Sequence, residues 1–372
     1  APPLLIPTCA PWQARALSDY TLGADDFHEF RVLGVGGFGS VCAALKKDTG
    51  AIYAVKKMDK KLIKAKNRYK SCHVEVESLK AIHSRFICGL HYCYQTPTDV
   101  CLVLDLLHGG TLSYLLQQHK KLPERHVCFF AACMVLAYEA LHTAGFVYRD
   151  MKPANVLLKS NGYCCLTDFG LTAKVASALK GKCGTRGYWA PEMVKGDQYI
   201  YSADWWSLGV TVFVLFSDKM PFSGKTDEDK NEATCKGEIN YKHDEPADLQ
   251  GIVSALCTVE MAKRLGCGGG GLAEIKAHPY FSGFNWGALE AGTMAAPIQP
   301  NINDINAPSA KDIAAFVRDS PIDFGELGNP RRQFLLLKII VMTTPAGDQQ
   351  SVDWSFSFGK RAASYGKSND GY

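Results

Sequence analysis

The sequence predicts an α+β fold in two lobes, a small antiparallel sheet followed by a larger, mainly helical body. Three observations carry this. From Phe27 to about Asp105 apolar residues alternate with polar ones, the period of half-buried strands. From Val127 onward they recur at helical spacing. Ala203–Phe216 is apolar nearly all round, as expected of a helix buried through the centre of a lobe.

In chain order, alternation places strands at Phe30–Val35, Val41–Leu45, Ile52–Lys56 and Val100–Leu104, with the turn residues Asp48-Thr49-Gly50 between two of them. One helix interrupts them, from about Ser71 to Ile82, with Val74, Ser78, Leu79 and Ile82 at helical spacing. The period changes after Gly109-Gly110. Val127, Phe130, Ala131, Met134, Tyr138 and Leu141 then form a helical stripe that Gly145 terminates. Gly268–Gly271 reads as a flexible loop, His278-Pro279-Tyr280-Phe281 closes the lobe, and 297–330 reads as an extended tail.

The 372 residues suit a two-lobed enzyme or two domains plus a tail. A formal charge of +4 with scattered Lys and Arg gives no support to a nucleic-acid partner. The fourteen cysteines show no paired Cys-x-x-Cys spacing and no secretory leader precedes them, so they read as reduced, packed thiols. The longest apolar runs, Leu208–Phe216 and Phe334–Met342, are about half what a bilayer needs. The expectation is a cytoplasmic protein with no transmembrane segment. Because the chain opens on Ala1, a regulatory domain or subunit is expected outside it.

The chemistry concentrates in two loops. Tyr148-Arg149-Asp150-Met151-Lys152-Pro153-Ala154-Asn155, followed by Asp168-Phe169-Gly170, offers one base and two hard oxygen ligands in the order phosphoryl transfer requires. Asp150 would accept or orient a hydroxyl proton, and Lys152 would neutralise charge on the transferring group. Asn155 and Asp168 would hold Mg²⁺. Upstream, Leu33-Gly34-Val35-Gly36-Gly37-Phe38-Gly39 and Val41 follow one strand and enter another. A dinucleotide fingerprint would open a helix here, so the reading is either a flap over a triphosphate or a plain Gly-rich hairpin. Lys56 sits one hairpin on, able to reach phosphates if something holds its stem. Glu75 is the candidate holder, and Glu77, about 200° round the same helix, its rival. Glu192 and Arg264 read as a buried structural pair.

Together these residues resemble the AGC group of serine/threonine protein kinases over roughly Phe27 to Phe316, with Tyr148 where most members carry His. Specific to the group are Cys183-Gly184-Thr185 and Ala203-Asp204-Trp205-Trp206-Ser207-Leu208-Gly209. The Leu33–Gly39 loop, Phe281–Trp286, Gly292-Thr293 and Pro297–Pro300 are similar to cyclic-GMP-dependent protein kinases, the closest match of the two branches. Lys152–Asn155 and Arg264–Cys267 resemble G-protein-coupled-receptor kinases. The resemblance implies a bilobal protein kinase fold with an N-terminal extension at 1–26 and a kinase domain at 27–281. Its small lobe runs to about 107, its large lobe from about 108. An AGC-type tail spans 282–372, degenerate after about 316. It implies ATP and Mg²⁺ as cofactors and protein Ser/Thr hydroxyls as acceptors, since Lys152 two residues after Asp150 is the serine/threonine form of the loop.

By the same resemblance Leu104 backs the adenine, Asp105 and Leu107 lie on the hinge, and Leu157 lies beneath the adenine opposite Val41 and Ala54. Leu79, Leu90, Tyr148 and Phe169 would stack as a column aligning the lobes. Departures are informative. The site of an activating phosphothreonine is Gly181, so activity is expected to need no phosphate there, though Ser177 could substitute. Thr111, Ala154 and Val214 stand where acidic residues read basic substrates, while Lys174, Lys180, Lys182 and Arg186 crowd the substrate-facing segment. A weak preference for basic peptides, with tolerance of acidic ones, is the expectation. A catalytically silent scaffold of the same fold is the alternative, although Lys56, Asp150 and Asp168 are all retained.

Overall fold

The computed structural model describes residues 22–242 and 245–300. Most of the first 26 residues, the Phe334–Met342 run and the Trp354–Phe358 stretch lie outside them. The small lobe is one antiparallel sheet of β1 (Phe27–Gly36), β2 (Gly39–Lys46), β3 (Ile52–Asp59), β4 (Leu90–Gln95) and β5 (Asp99–Leu104), ordered β1-β2-β3-β5-β4. The Asp48–Gly50 turn forms as its residues dictate: Gly50 takes φ +69° and its N–H meets the Lys46 carbonyl at 2.8 Å.

Two elements here were not expected from sequence. The edge strand β4 reads Leu-His-Tyr-Cys-Tyr-Gln, where half-polar aromatics blur the alternation. A short Lys-rich helix, α1 (Lys60–Ala65), exists because the Asp59 carboxylate accepts the Leu62 N–H at 3.0 Å. The helix between strands is therefore a pair, α1 and α2 (Tyr69–Ala81), rather than one.

The large lobe begins with α3 (Leu112–His119), N-capped by Thr111, and α4 (Glu124–Thr143). By length and composition α4 would cross a membrane, yet most of its side chains lie inside this lobe. Short ladders follow: β6 (Phe146–Val147), β7 (Val156–Leu158), β8 (Cys164–Leu166), β9 (Ala173–Lys174) and β10 (Leu179–Lys180). Then come α5 (Pro191–Lys195), β11 (Gln198–Tyr199), α6 (Ser202–Ser217), α7 (Asp227–Lys236), α8 (Ala247–Leu256), α9 (Leu272–Lys276) and α10 (Trp286–Ala291). The expected central helix is α6, buried from Ser202 to Leu215 and joined to α4 by the Tyr138 and Ser207 hydroxyls 3.1 Å apart.

One apolar cluster runs through both lobes. Leu79, Leu90, Tyr148 and Phe169 all belong to it, and the Tyr148 and Phe169 rings meet edge to face at 5.5 Å. The lobes are thus coupled by packing at the level of the catalytic loop.

Candidate active site

Backbone pairing explains how the two chemical loops meet. β7 and β8 form a hairpin with Val156 opposite Leu166, so Asn155 and Thr167-Asp168 emerge from the same end. The Thr167 N–H and hydroxyl both reach the Asn155 carbonyl, at 3.0 and 3.1 Å. The preceding loop is held by the fully buried Asp204, whose carboxylate accepts the N–H groups of Tyr148 and Arg149 at 2.9 and 2.8 Å. That clamp offsets the left-handed conformation of Arg149, φ +70°.

Asp150 is buried and engaged from three sides. Thr185 Oγ1 donates to Oδ1 at 2.7 Å, and Lys152 Nζ lies 3.0 Å from Oδ2 and 2.6 Å from the Thr185 hydroxyl. Asn155 Nδ2 donates to Asp150 Oδ2 and to its main-chain carbonyl, both at 2.8 Å. Because both amide hydrogens are directed at Asp150, the Asn155 amide oxygen keeps its lone pairs for another partner.

Lys56 connects the lobes. Its Nζ sits 2.7 Å from Glu75 Oε1 and 3.0 Å from Asp168 Oδ1. Glu77 instead pairs with Lys174 of β9, which settles the choice between the two glutamates. Burial opposes charge on Lys56, but the two carboxylates outweigh it and hold the ammonium well above its ordinary range. Burial likewise pushes the Glu75 carboxyl up, with Lys56 opposing it. At Asp168 burial also raises, but Lys56, the Gly170 N–H and Lys152 prevail and hold the carboxyl below the usual value. A half-exposed carboxylate kept ionised, beside a free amide oxygen, is the hard donor pair that suits Mg²⁺. Among the described residues no cluster of three His, Cys, Asp or Glu side chains competes for a metal.

The glycine-rich segment is the β1–β2 hairpin, with Gly34 opposite Val41, Gly36 opposite Gly39 and Gly37-Phe38 at the tip. A Cβ on Gly39 would lie 1.9 Å from the Lys57 carbonyl oxygen, so the third glycine is required by close backbone approach. The tip is tied down by Lys66, which donates to the Gly37 carbonyl at 2.7 Å and stands 4.6 Å from the Phe38 ring centre. Val35 points to solvent, 76% exposed.

The remaining apolar candidates surround the lobe junction. Ala54 pairs with Leu104 across β3 and β5, and Leu157 bridges to Thr111. Leu33, Val41, Leu104, Leu107 and Leu157 stay half-buried, while Ala54 is buried. The Asp105 side chain is turned to β4, accepting the Gly89 N–H at 2.8 Å with His91 Nε2 at 2.7 Å. Its carboxyl thus ties the end of β5 to β4.

Two functional contacts escaped the sequence reading. Thr185 was read only as a marker of its segment, and nothing local signals its bond to Asp150 35 residues away. The Asp204 clamp was signalled only by its place in the Ala203–Gly209 run.

Residues 27–281 match the protein kinase domain family. Rhodopsin kinase GRK1 of Homo sapiens is 35% identical over 315 residues, 82% of this chain and 56% of that protein. Rhodopsin kinase grk7-b of Xenopus laevis is 36% identical over 328 residues, 84% and 58%. G protein-coupled receptor kinase 4 of Rattus norvegicus is 35% identical over 298 residues, 78% and 52%. The chain spans little more than half the length of these relatives. They bear out the receptor-kinase likeness, while the cyclic-GMP-dependent likeness rests on its own motif residues alone. With a bilobal α+β body, a matching domain over most of its length and these relatives, the chain belongs to the protein kinase family, as an AGC-group member with features of the G-protein-coupled-receptor kinases.

Proposed function

We propose that this chain transfers the γ-phosphoryl of ATP, with Mg²⁺, to Ser and Thr hydroxyls of protein substrates. The observation that carries this reading is the buried Asp150 carboxylate held by Thr185, Lys152 and Asn155, one hairpin from an Asp168 paired with Lys56. Asp150 accepts the acceptor's proton. The hydroxyl oxygen then bonds to the γ-phosphorus as the bond to the β–γ bridging oxygen breaks and ADP leaves with that electron pair. Lys152 neutralises the charge that builds on the transferring group. Lys56, steadied by Glu75, would meet the α- and β-phosphates, with the Leu33–Gly39 flap closing over them. Asn155 and Asp168 would hold Mg²⁺, which supplies charge neutralisation on the phosphates when bound. Leu33, Val41, Ala54, Leu104 and Leu157 would enclose the adenine, with Asp105 and Leu107 as hinge.

We place the kinase domain at 27–281, its lobes dividing near 107, in a cytoplasmic protein with partners outside this chain. Thr111 caps α3, Ala154 is exposed and Val214 is buried, so none offers a basic peptide a carboxylate. Lys182 and Arg186 flank the Trp189 ring at 5.8 and 5.5 Å, which supports weak selection for basic residues.

The test uses labelled ATP and a degenerate Ser/Thr peptide library, comparing the wild type with Asp150→Asn. Loss of the base should lower transfer by about 10²-fold or more. No label with either would favour the silent scaffold, and equal label with both would show that the transfer does not use Asp150.

A further inference from the structure

The segment after Asp168 must travel far from the catalytic loop and return to set Thr185 on Asp150. What fixes its path is visible at Arg149. That residue's Nε donates to the Leu171 carbonyl at 2.8 Å, just past the metal loop. On the returning limb the Tyr199 hydroxyl donates to the Gly181 carbonyl at 3.3 Å, and the Arg149 charge opposes the rise that burial imposes on the phenol. Tyr199 is itself part of the scaffold: β11 pairs with β10, Leu179 opposite Tyr199 and Lys180 opposite Gln198. Its side chain is 2% exposed. Gly181 takes φ +86°, the turn that sends the chain from β10 back toward Thr185.

We infer that Tyr199 is a positioning residue for phosphoryl transfer, its hydroxyl fastening the turn at Gly181 to β11 and so holding Thr185 against Asp150 and Lys152. The fastening is neutral and built in. It carries no added charge, and together with the Arg149 bond to the Leu171 carbonyl it holds both limbs of the segment. A second tie, Lys174 to Glu77, anchors the same segment to α2 but does not touch Arg149. The inference rests on the kinase reading for its catalytic consequence, and on geometry alone for its structural one.

Tyr199→Phe keeps the ring and removes only the hydroxyl. With the degenerate Ser/Thr peptide library and ATP, kcat should fall about fivefold, the worth of one neutral hydrogen bond. KM for ATP should stay within about twofold, since no nucleotide contact changes. Hydrogen exchange should quicken at amides 179–185 with the melting temperature held within a few degrees, a readout that does not depend on catalysis. Unchanged exchange in Tyr199→Phe would overturn the inference, as would an unchanged kcat. If neither protein transfers phosphate while exchange still quickens, the kinase reading fails and the fastening stands.

Discussion

At the scale of single residues, the site works by pairing every charge it buries. Lys56 meets two carboxylates, and each answers a different need: Glu75 is buried and fixes the ammonium, Asp168 is half-exposed and remains available to a cation. Lys56→Met should therefore remove most phosphoryl transfer while the fold survives. Glu75→Gln should cost less, because an amide still accepts one hydrogen bond; steady-state kinetics of the two variants would show the order. The Asp168 carboxyl sets the pH dependence. Its folded value lies below the ordinary one, near 3.9, so its contribution is present above that ordinary value and disappears as pH falls through the lower folded value. The melting-temperature gap between wild type and Asp168→Asn should be level from about pH 5 to 8 and shrink below about pH 4. A gap that grew toward acid would contradict the ion pair with Lys56.

At the scale of elements, the β1–β2 hairpin tests whether the glycine pattern is a packing requirement. Gly39→Ala places a methyl carbon on the Lys57 carbonyl and must displace β3, which carries Lys56. Stability should fall by about 1–3 kcal/mol, the scale of one imposed backbone distortion, and KM for ATP should rise. A chemical-denaturation curve and an ATP titration would check both. Elements whose information is local were legible from sequence. The strands β1, β2, β3 and β5 of the small lobe, α2, α4 and α6 carry their own periods, and Asp150, Asn155 and Asp168 sit close enough in sequence for spacing to reveal them. What was not legible depends on distant partners. The two-residue ladders β6–β9 and β10–β11 are too short to show a period, and β4 is an edge strand whose tyrosines look polar. Thr185 on Asp150 and Lys174 on Glu77 join positions 35 and 97 residues apart. The choice between Glu75 and Glu77 needed the rotation of α2 against β3, which sequence narrows but does not fix.

At the scale of the whole molecule, one buried ion pair holds the large lobe's base to its activation segment. Arg264 and Glu192 are almost wholly buried, and the guanidinium meets the carboxylate with two bonds, 2.6 and 2.9 Å. Arg264 further donates to the carbonyls of Ser202 and Thr258, at 2.9 and 2.8 Å, while the Ser202 hydroxyl reaches Glu192. The pair thus joins α5, the start of α6 and the loop after α8. Two buried charges are costly to desolvate, so the pair as a whole need contribute little net stability; removing one partner is a different matter, because the other remains buried and uncompensated. Glu192→Ala should destabilise by about 3–5 kcal/mol, and Arg264→Lys should lose a large part of that, since an ammonium makes neither the bidentate contact nor the extra carbonyl bonds. Replacing both residues with apolar side chains of similar volume should restore much of the loss. Urea unfolding of the four proteins measures this directly. Additive losses in the double variant would show that each residue acts alone, and that the activation segment is anchored elsewhere.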